Sequence, residues 1–219
     1  MAQRKPPEGT TPKNSGDQPR PEATDRSGEL TRASSALWQN GWYQYARHVP
    51  SPNYGPRPLA DDVSLAVIHS ISLPPGVYGG NEIEQLFTNQ LDWSAHPYFE
   101  QIRGAEVSAH FVIRRDGELI QFVAVSDRAW HAGRSAWRGR DNCNDYSVGI
   151  ELEGLEDTAF EAAQYRALST LLDALAQHWP ITQIAGHEHV APGRKRDPGL
   201  AFDWRHLQAL LQWPDSRFP

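Results

Sequence analysis

The side chains best suited to chemistry fall in three places. His69 directly follows the apolar run 65–68. A buried strand therefore delivers it to the mouth of a loop, where sheet proteins hold functional groups. Residues 186–199 are poor in apolar side chains, rich in Gly and Pro, and carry His187, His189, Lys195 and Asp197; they read as a shaped loop. One histidine and the aspartate from this stretch, added to His69, would make three protein ligands for a metal ion. Three ligands leave the fourth tetrahedral position to water, the arrangement of catalytic zinc, and imidazole with carboxylate suits zinc without any thiolate. Spacing does not separate His187 from His189. The third place is Gly149-Ile150-Glu151-Leu152-Glu153. Strand alternation sends Glu151 and Glu153 to one face and Ile150 and Leu152 to the other. An acidic face fronting a metal pocket would supply a general base for bound water. Taken singly, each feature has a plainer reading: a hydrogen-bonding histidine, a solvated polar loop, an exposed sheet face.

Two other combinations are weaker. Ser108 and His110 share one face of a strand, but their spacing does not set the hydroxyl–imidazole bond of a serine nucleophile, and no acid partner is assignable. His110 fits a pocket-lining or supporting role better. Cys143 lies between Asp141-Asn142 and Asn144-Asp145, and nearby carboxylates disfavour a thiolate.

The frame for these residues is a mixture of strands and helices. The run 64–68 suits a buried strand, stopped by Pro74-Pro75-Gly76 and a loop through Gly79-Gly80. Asn81 is placed to cap a helix reaching Leu91, with Ile83, Leu86 and Phe87 on one face. Residues 107–114 and 118–123 read as strands joined at the hairpin signal Asp116-Gly117. A further strand covers 146–152. Tyr165, Leu168, Leu171, Leu172 and Leu175 recur at helical spacing within 160–179, Ile184 begins a short strand or loop, and Asp203 is placed to cap a last helix through Leu211. This order predicts an α/β fold, a single mixed sheet flanked by helices.

Composition narrows the function. The chain has 219 residues, enough for one domain with a sizeable core. Its formal net charge of −6 gives no footing for nucleic acid, and Arg194-Lys195-Arg196 is too short to be a binding stripe. A single cysteine rules out an intramolecular disulfide. No apolar run follows the charged start and no stretch is long enough to span a bilayer, so the expectation is a cytoplasmic protein without membrane contact. Residues 1–35 hold scattered prolines and charges but no aromatic residue, whereas all eight tryptophans lie beyond them. The expectation is a disordered extension over 1–35 and one folded domain over 36–219.

In order along the chain stand Val49-Pro50-Ser51-Pro52, Val67-Ile68-His69-Ser70-Ile71-Ser72-Leu73-Pro74-Pro75-Gly76 and Ala95-His96-Pro97-Tyr98-Phe99. Ser108-Ala109-His110, Arg128-Ala129-Trp130-His131-Ala132-Gly133 and Ser147-Val148-Gly149-Ile150-Glu151-Leu152-Glu153-Gly154 follow, then Gly186-His187 and Arg194-Lys195-Arg196-Asp197-Pro198-Gly199. Together these motifs resemble the AmpD family of N-acetylmuramoyl-L-alanine amidases over most of the chain, from about Trp42 to Trp204. The resemblance implies the fold of phage lysozyme-type amidases and peptidoglycan recognition proteins. It implies zinc held by His69, His187 and Asp197, with Glu151 as the catalytic carboxylate and Lys195 as transition-state stabiliser, and it leaves His189 outside the ligand set. The implied substrate is a 1,6-anhydro-N-acetylmuramyl peptide released in cell-wall recycling, cut at the lactyl–L-alanine amide in the cytosol. Some relatives of this fold bind peptidoglycan without cutting it, having lost metal ligands; the full set here favours the enzyme. Trp130, Trp137 and Tyr78 are candidates to pack on sugar or peptide, and the loops 73–80 and 134–140 are candidates to close over the site.

Overall fold

In the computed structural model the described residues are Met1, Ala2 and 37–219; the disordered extension expected over 1–35 lies, past its first two residues, outside them. A mixed six-stranded sheet organises the described residues. Its strands in chain order are β1 (Arg47–His48), β2 (Leu65–Ile71), β3 (Phe111–Ile113), β4 (Leu119–Gln121), β5 (Ser147–Glu153) and β6 (Gln183–Gly186). The spatial order is β6-β2-β5-β3-β4-β1. β6, β2, β5 and β3 run parallel, β3 and β4 form the antiparallel hairpin, and β1 lies parallel to β4.

The long strands β2 and β5 sit in the middle because both of their faces are buried, as parallel strands require. On one face Ala66 and Ile68 of β2, Val148, Ile150 and Leu152 of β5, and Phe111 and Ile113 of β3 form the main core. Helices α3 (Ala162–His178) and α5 (Trp204–Leu211) close it. Leu168, Leu171, Leu172 and Leu175 of α3 are fully buried there, each contributing about 1.5–3 kcal/mol relative to exposure. Glu161 and Gln164 exchange capping bonds at the start of α3, and the Asp203 carboxylate accepts from His206 N–H at the start of α5, 2.9 Å away. The opposite face carries two smaller clusters. One joins Val112 and Ile120 to α1 (Glu82–Phe87) and α2 (Pro97–Gln101) through Ile83, Leu86, Phe87 and Phe99. The other joins Leu65 and Val67 to Ala132, Cys143, Tyr146 and Val190. The candidate site lies on this second face, towards the carboxyl ends of β2, β5 and β6.

The expected elements are present with different bounds. α1 stops at Phe87 rather than Leu91, because Thr88 turns its hydroxyl onto Glu84 O and Asn89 adopts a left-handed backbone, φ 59°. The Asn81 side chain makes no capping bond. The 107–114 strand shortens to β3 because Ser108 N–H donates to Trp130 O, 3.1 Å away, on a separate loop. The hairpin turns at Gly117, φ 93°, a conformation that L side chains rarely adopt. The 186–199 stretch is not loop throughout: His187–Val190 form one helical turn, α4.

Candidate active site

The sheet register builds the site. β5 pairs with β2 so that Glu151 stands directly across from His69, both on the face away from the main core. β6 runs on the other side of β2 and ends at Gly186, so His187 opens α4 beside them. The loop after α4 returns to bring Asp197 under both histidines, its carbonyl accepting from Glu188 N–H at 2.8 Å. His69 Nδ1 lies 2.9 Å from His187 Nδ1, and each of these nitrogens lies 3.0 Å from Asp197 Oδ2. Two imidazole nitrogens and a carboxylate oxygen thus converge on one point, in side chains that are all buried. Burial holds the His69 imidazole down to a pKa of about 4, so it is neutral, as a ligand must be. The donor set fits a divalent transition ion such as zinc.

The two acidic residues of β5 divide sharply. Glu151 is buried with Oε1 4.0 Å from His69 Nδ1, and its Oε2 has no hydrogen-bond partner among the described residues. Burial first, and the Asp197 charge second, push its pKa well above the usual carboxylate value, against an opposing pull from Lys195. Glu153 is saturated instead. It accepts from Gly79 N–H (2.7 Å), Arg114 Nη1 (2.9 Å) and Arg115 N–H (3.2 Å), tying the 73–80 loop to the hairpin. Arg114 continues the chain to Glu84 of α1 at 3.0 Å. The expected exposed-face alternative for this strand is therefore absent: every residue of β5 is buried.

His69, Glu151, His187 and Asp197 all open into one cleft of about 510 Å³, which Lys195, Trp130 and Leu73 also line. Lys195 is exposed at its rim. His189 is turned away: its Nδ1 accepts from Gly186 N–H at 2.9 Å and its ring lies against Trp204. Ser108 also lines the cleft, but its hydroxyl donates to Asn53 O at 2.6 Å and accepts from Trp130 N–H at 3.0 Å, so it holds the cleft wall. His110 is fully buried behind the site, with Nδ1 accepting from Gly149 N–H at 3.0 Å. Tyr78 is not in the cleft; its ring lies under the Arg115 guanidinium, 4.8 Å from the centroid. Trp137 packs against the Leu65 cluster.

Sequence reasoning passed over His131 as a site residue, although it stands in the Trp130-His131-Ala132-Gly133 motif. Its Nδ1 lies 2.9 Å from His69 Nε2, its Nε2 lies 3.2 Å from Ser147 Oγ, and it lines the cleft. The small residues at Ser147 and Gly149, alternating with apolar ones ahead of Glu151, were the available signal.

A mixed sheet bearing this cleft places the molecule among the amidases. It superposes on a Drosophila peptidoglycan recognition protein, PGRP-SD, at 20% identity over 78% of this chain and 99% of that one, TM-score 0.50, which shows the shared fold. It superposes on a crystal structure of a selenomethionine derivative of AmpD at 50% identity, covering 80% of this chain and 99% of that one, with a TM-score of 0.78. The family model for N-acetylmuramoyl-L-alanine amidase matches residues 59–200. Citrobacter freundii 1,6-anhydro-N-acetylmuramyl-L-alanine amidase AmpD is 50% identical over 80% of this chain and 95% of its own length. The chain belongs to the AmpD family of N-acetylmuramoyl-L-alanine amidases. A more distant relative, Escherichia coli AmiD, was solved with anhydro-N-acetylmuramic acid-L-Ala-D-γ-Glu-L-Lys as its substrate; it is 28% identical over 70% of this chain and 59% of its own, TM-score 0.50.

Proposed function

We propose that residues 36–219 form a zinc amidase that hydrolyses the bond between the lactyl group of 1,6-anhydro-N-acetylmuramic acid and the L-alanine of the attached peptide, in the cytoplasmic recycling of cell-wall fragments. The observation that carries this reading is the convergence of His69 Nδ1, His187 Nδ1 and Asp197 Oδ2 within 3.0 Å of one another, beside a buried Glu151 with an unpartnered oxygen. The substrate follows from the AmpD relatives and from the muropeptide bound by AmiD. Among the described residues no helix is long and apolar enough to cross a membrane.

Zinc bound by His69, His187 and Asp197 would supply Lewis acidity, lowering the pKa of a bound water to about 7. Glu151 does the proton work. Burial and the nearby Asp197 charge raise its pKa, the direction that makes a carboxylate a stronger proton acceptor from water. Attack of the water oxygen on the lactyl carbonyl carbon sends that proton to Glu151. Collapse then breaks the C–N bond, and Glu151 returns the proton to the alanine nitrogen, leaving a lactyl acid and a free amino terminus. Lys195 at the cleft rim offers an ammonium to the developing oxyanion, where one well-placed donor is worth about 3 kcal/mol in the barrier. Trp130 and Leu73 supply apolar wall for the sugar or the peptide.

The test is mass spectrometry of anhydromuramyl-tripeptide incubated with purified protein, with zinc and with chelator. Free tripeptide and anhydro sugar, lost on chelation and restored by zinc, are the expected products. An intact substrate in the zinc-loaded sample would refute the assigned substrate, and cuts within the peptide would refute the assigned bond.

A further inference from the structure

We infer that His131 is a positioning residue that fixes the tautomer of His69, with Ser147 and Gly149 shaped to hold it in that role. The inference rests on the metal-site reading above. Its starting point is an atom with no choice: the carbonyl oxygen of Cys143 can only accept a hydrogen bond. Ser147 Oγ lies 2.6 Å from it, so the Ser147 hydroxyl hydrogen is committed there. Towards His131 Nε2, 3.2 Å away, the same oxygen can then only accept, which places a proton on Nε2. Neutral His131 consequently has a bare Nδ1. That atom lies 2.9 Å from His69 Nε2, so His69 carries its proton on Nε2 and presents a lone pair at Nδ1, the atom aimed at His187 and Asp197.

The relay has something to oppose. Asp197 Oδ2 lies 3.0 Å from His69 Nδ1 and would draw the imidazole proton to that nitrogen in a charge-assisted bond. A proton there would occupy the place of the metal. The acceptor on the far side of the ring is what holds the proton away. A carboxylate would accept more strongly, but it would put another negative charge next to Glu151 and Asp197; a neutral imidazole accepts without adding charge.

Two independent features show that the fold makes room for this ring. A Cβ on Gly149 would lie 2.4 Å from His131 Cγ, 2.6 Å from Cδ2 and 2.7 Å from Nδ1, so β5 must be bare beneath the imidazole. The backbone N–H groups of His131 and Ala132 both donate to Asn144 Oδ1, at 3.2 and 2.8 Å, which clamps the segment. The same segment serves the second histidine: His187 Nε2 donates to Ala132 O at 3.2 Å, which turns its Nδ1 towards Asp197.

The experiment is long-range proton–nitrogen NMR of the imidazole rings, metal-free and zinc-loaded, with zinc affinity from chelator competition. Wild type, His131→Phe, His131→Asn and Ser147→Ala are compared. In wild type His69 is protonated on Nε2 in both forms. His131→Phe moves the metal-free His69 proton to Nδ1 and weakens zinc binding about 10- to 100-fold. His131→Asn, whose Oδ1 can accept from His69 Nε2–H, recovers most of that loss, a rescue that mere space filling does not predict. Should the Phe variant fail to fold, Ser147→Ala decides: His131 then gains Nδ1–H, opposing His69 Nε2–H, and zinc binding weakens severalfold. A folded His131→Phe, or a Ser147→Ala, with wild-type ring signals and zinc affinity within twofold of wild type overturns the inference. If wild type binds no zinc, the metal reading fails, while the metal-free spectrum still decides this inference: Nε2–H supports it and Nδ1–H overturns it.

Discussion

Replacing Gly149 by alanine adds one methyl group where the structure has no room for it. The new Cβ would meet the His131 ring at 2.4 Å, against 3.4–4 Å for ordinary contact. One side must retreat by about 1 Å. β5 cannot, because Gly149 is paired across to Val67 of β2, and its carbonyl accepts from His110 N–H at 3.0 Å on the other side. The ring therefore moves, and an outward shift of this size stretches its 2.9 Å contact with His69 Nε2 beyond hydrogen-bonding range. Overpacking of this kind costs about 1–3 kcal/mol. In a chain of this length each kcal/mol lowers Tm by about 2–4 °C. In an uncrowded strand the substitution would stabilise by about 0.5–1 kcal/mol, so the sign alone discriminates. Urea unfolding of the metal-free variant should show the loss, and chelator competition should show zinc binding at least several-fold weaker. A Gly149→Ala protein as stable as wild type, with wild-type zinc affinity, would refute the packing argument.

The remaining predictions separate the roles of the site residues. Glu151→Ala should keep its zinc and lose about 10²- to 10⁴-fold in kcat; near-normal turnover would remove Glu151 from the proton transfers. Asp197→Ala should lose zinc on dialysis, whereas full metal content by atomic absorption would show that the third ligand is wrong. Lys195→Ala should lower kcat about 10²-fold with little change in KM, and the reverse pattern would make Lys195 a substrate-binding group only. His110 gives a pH signature. Burial, and then the Arg57 guanidinium 3.1 Å away, hold its imidazole neutral down to a pKa of about 3. Below the unfolded value near 6.5 the unfolded chain takes up a proton that the folded one refuses, so stability falls with pH by about 1.4 kcal/mol per unit until pH 3. Between pH 7 and 4.5 a folded His110→Asn variant should therefore lose about 2–3 kcal/mol less than wild type in urea unfolding, and parallel losses would contradict the assignment.

What was legible in the sequence is what depends on periodicity within one element. The alternation of β5 separates Val148, Ile150 and Leu152 from Glu151 and Glu153 without any knowledge of neighbours, and the α3 leucines mark one face at helical spacing. What depends on partners far along the chain was not legible. Glu151 and Glu153 look alike in sequence and differ because Gly79 and Arg114, 74 and 39 residues from Glu153, saturate one of them. His187 and His189 lie on the same helical turn, and only the Gly186 N–H and the Trp204 ring show that His189 faces elsewhere. The role of His131 required its ring to be seen lying on Gly149. The overlong α1 came from apolar spacing that continues to Leu91, a residue buried beyond the helix end.

The strand that carries the chemistry is also the strand whose position the core determines most strictly. A slip of β5 by one residue would set Ile150 or Leu152 beside His69 and turn Glu151 towards α3. Val148, Ile150 and Leu152 are fully buried on that side, together worth about 5–9 kcal/mol relative to exposure. A slip would forfeit that burial and also bury two carboxylates against leucines. Apolar packing therefore enforces the register that puts Glu151 across from His69, and the polar face then needs no separate device to find it. The face is used at every step: Ser147 orients His131, Gly149 accommodates its ring, Glu151 faces the cleft, and Glu153 holds the 73–80 loop. Four alternate positions on one strand thereby link ligand orientation, proton transfer and the wall of the cleft, which is why changes at the smallest of them, Gly149, are expected to reach the metal.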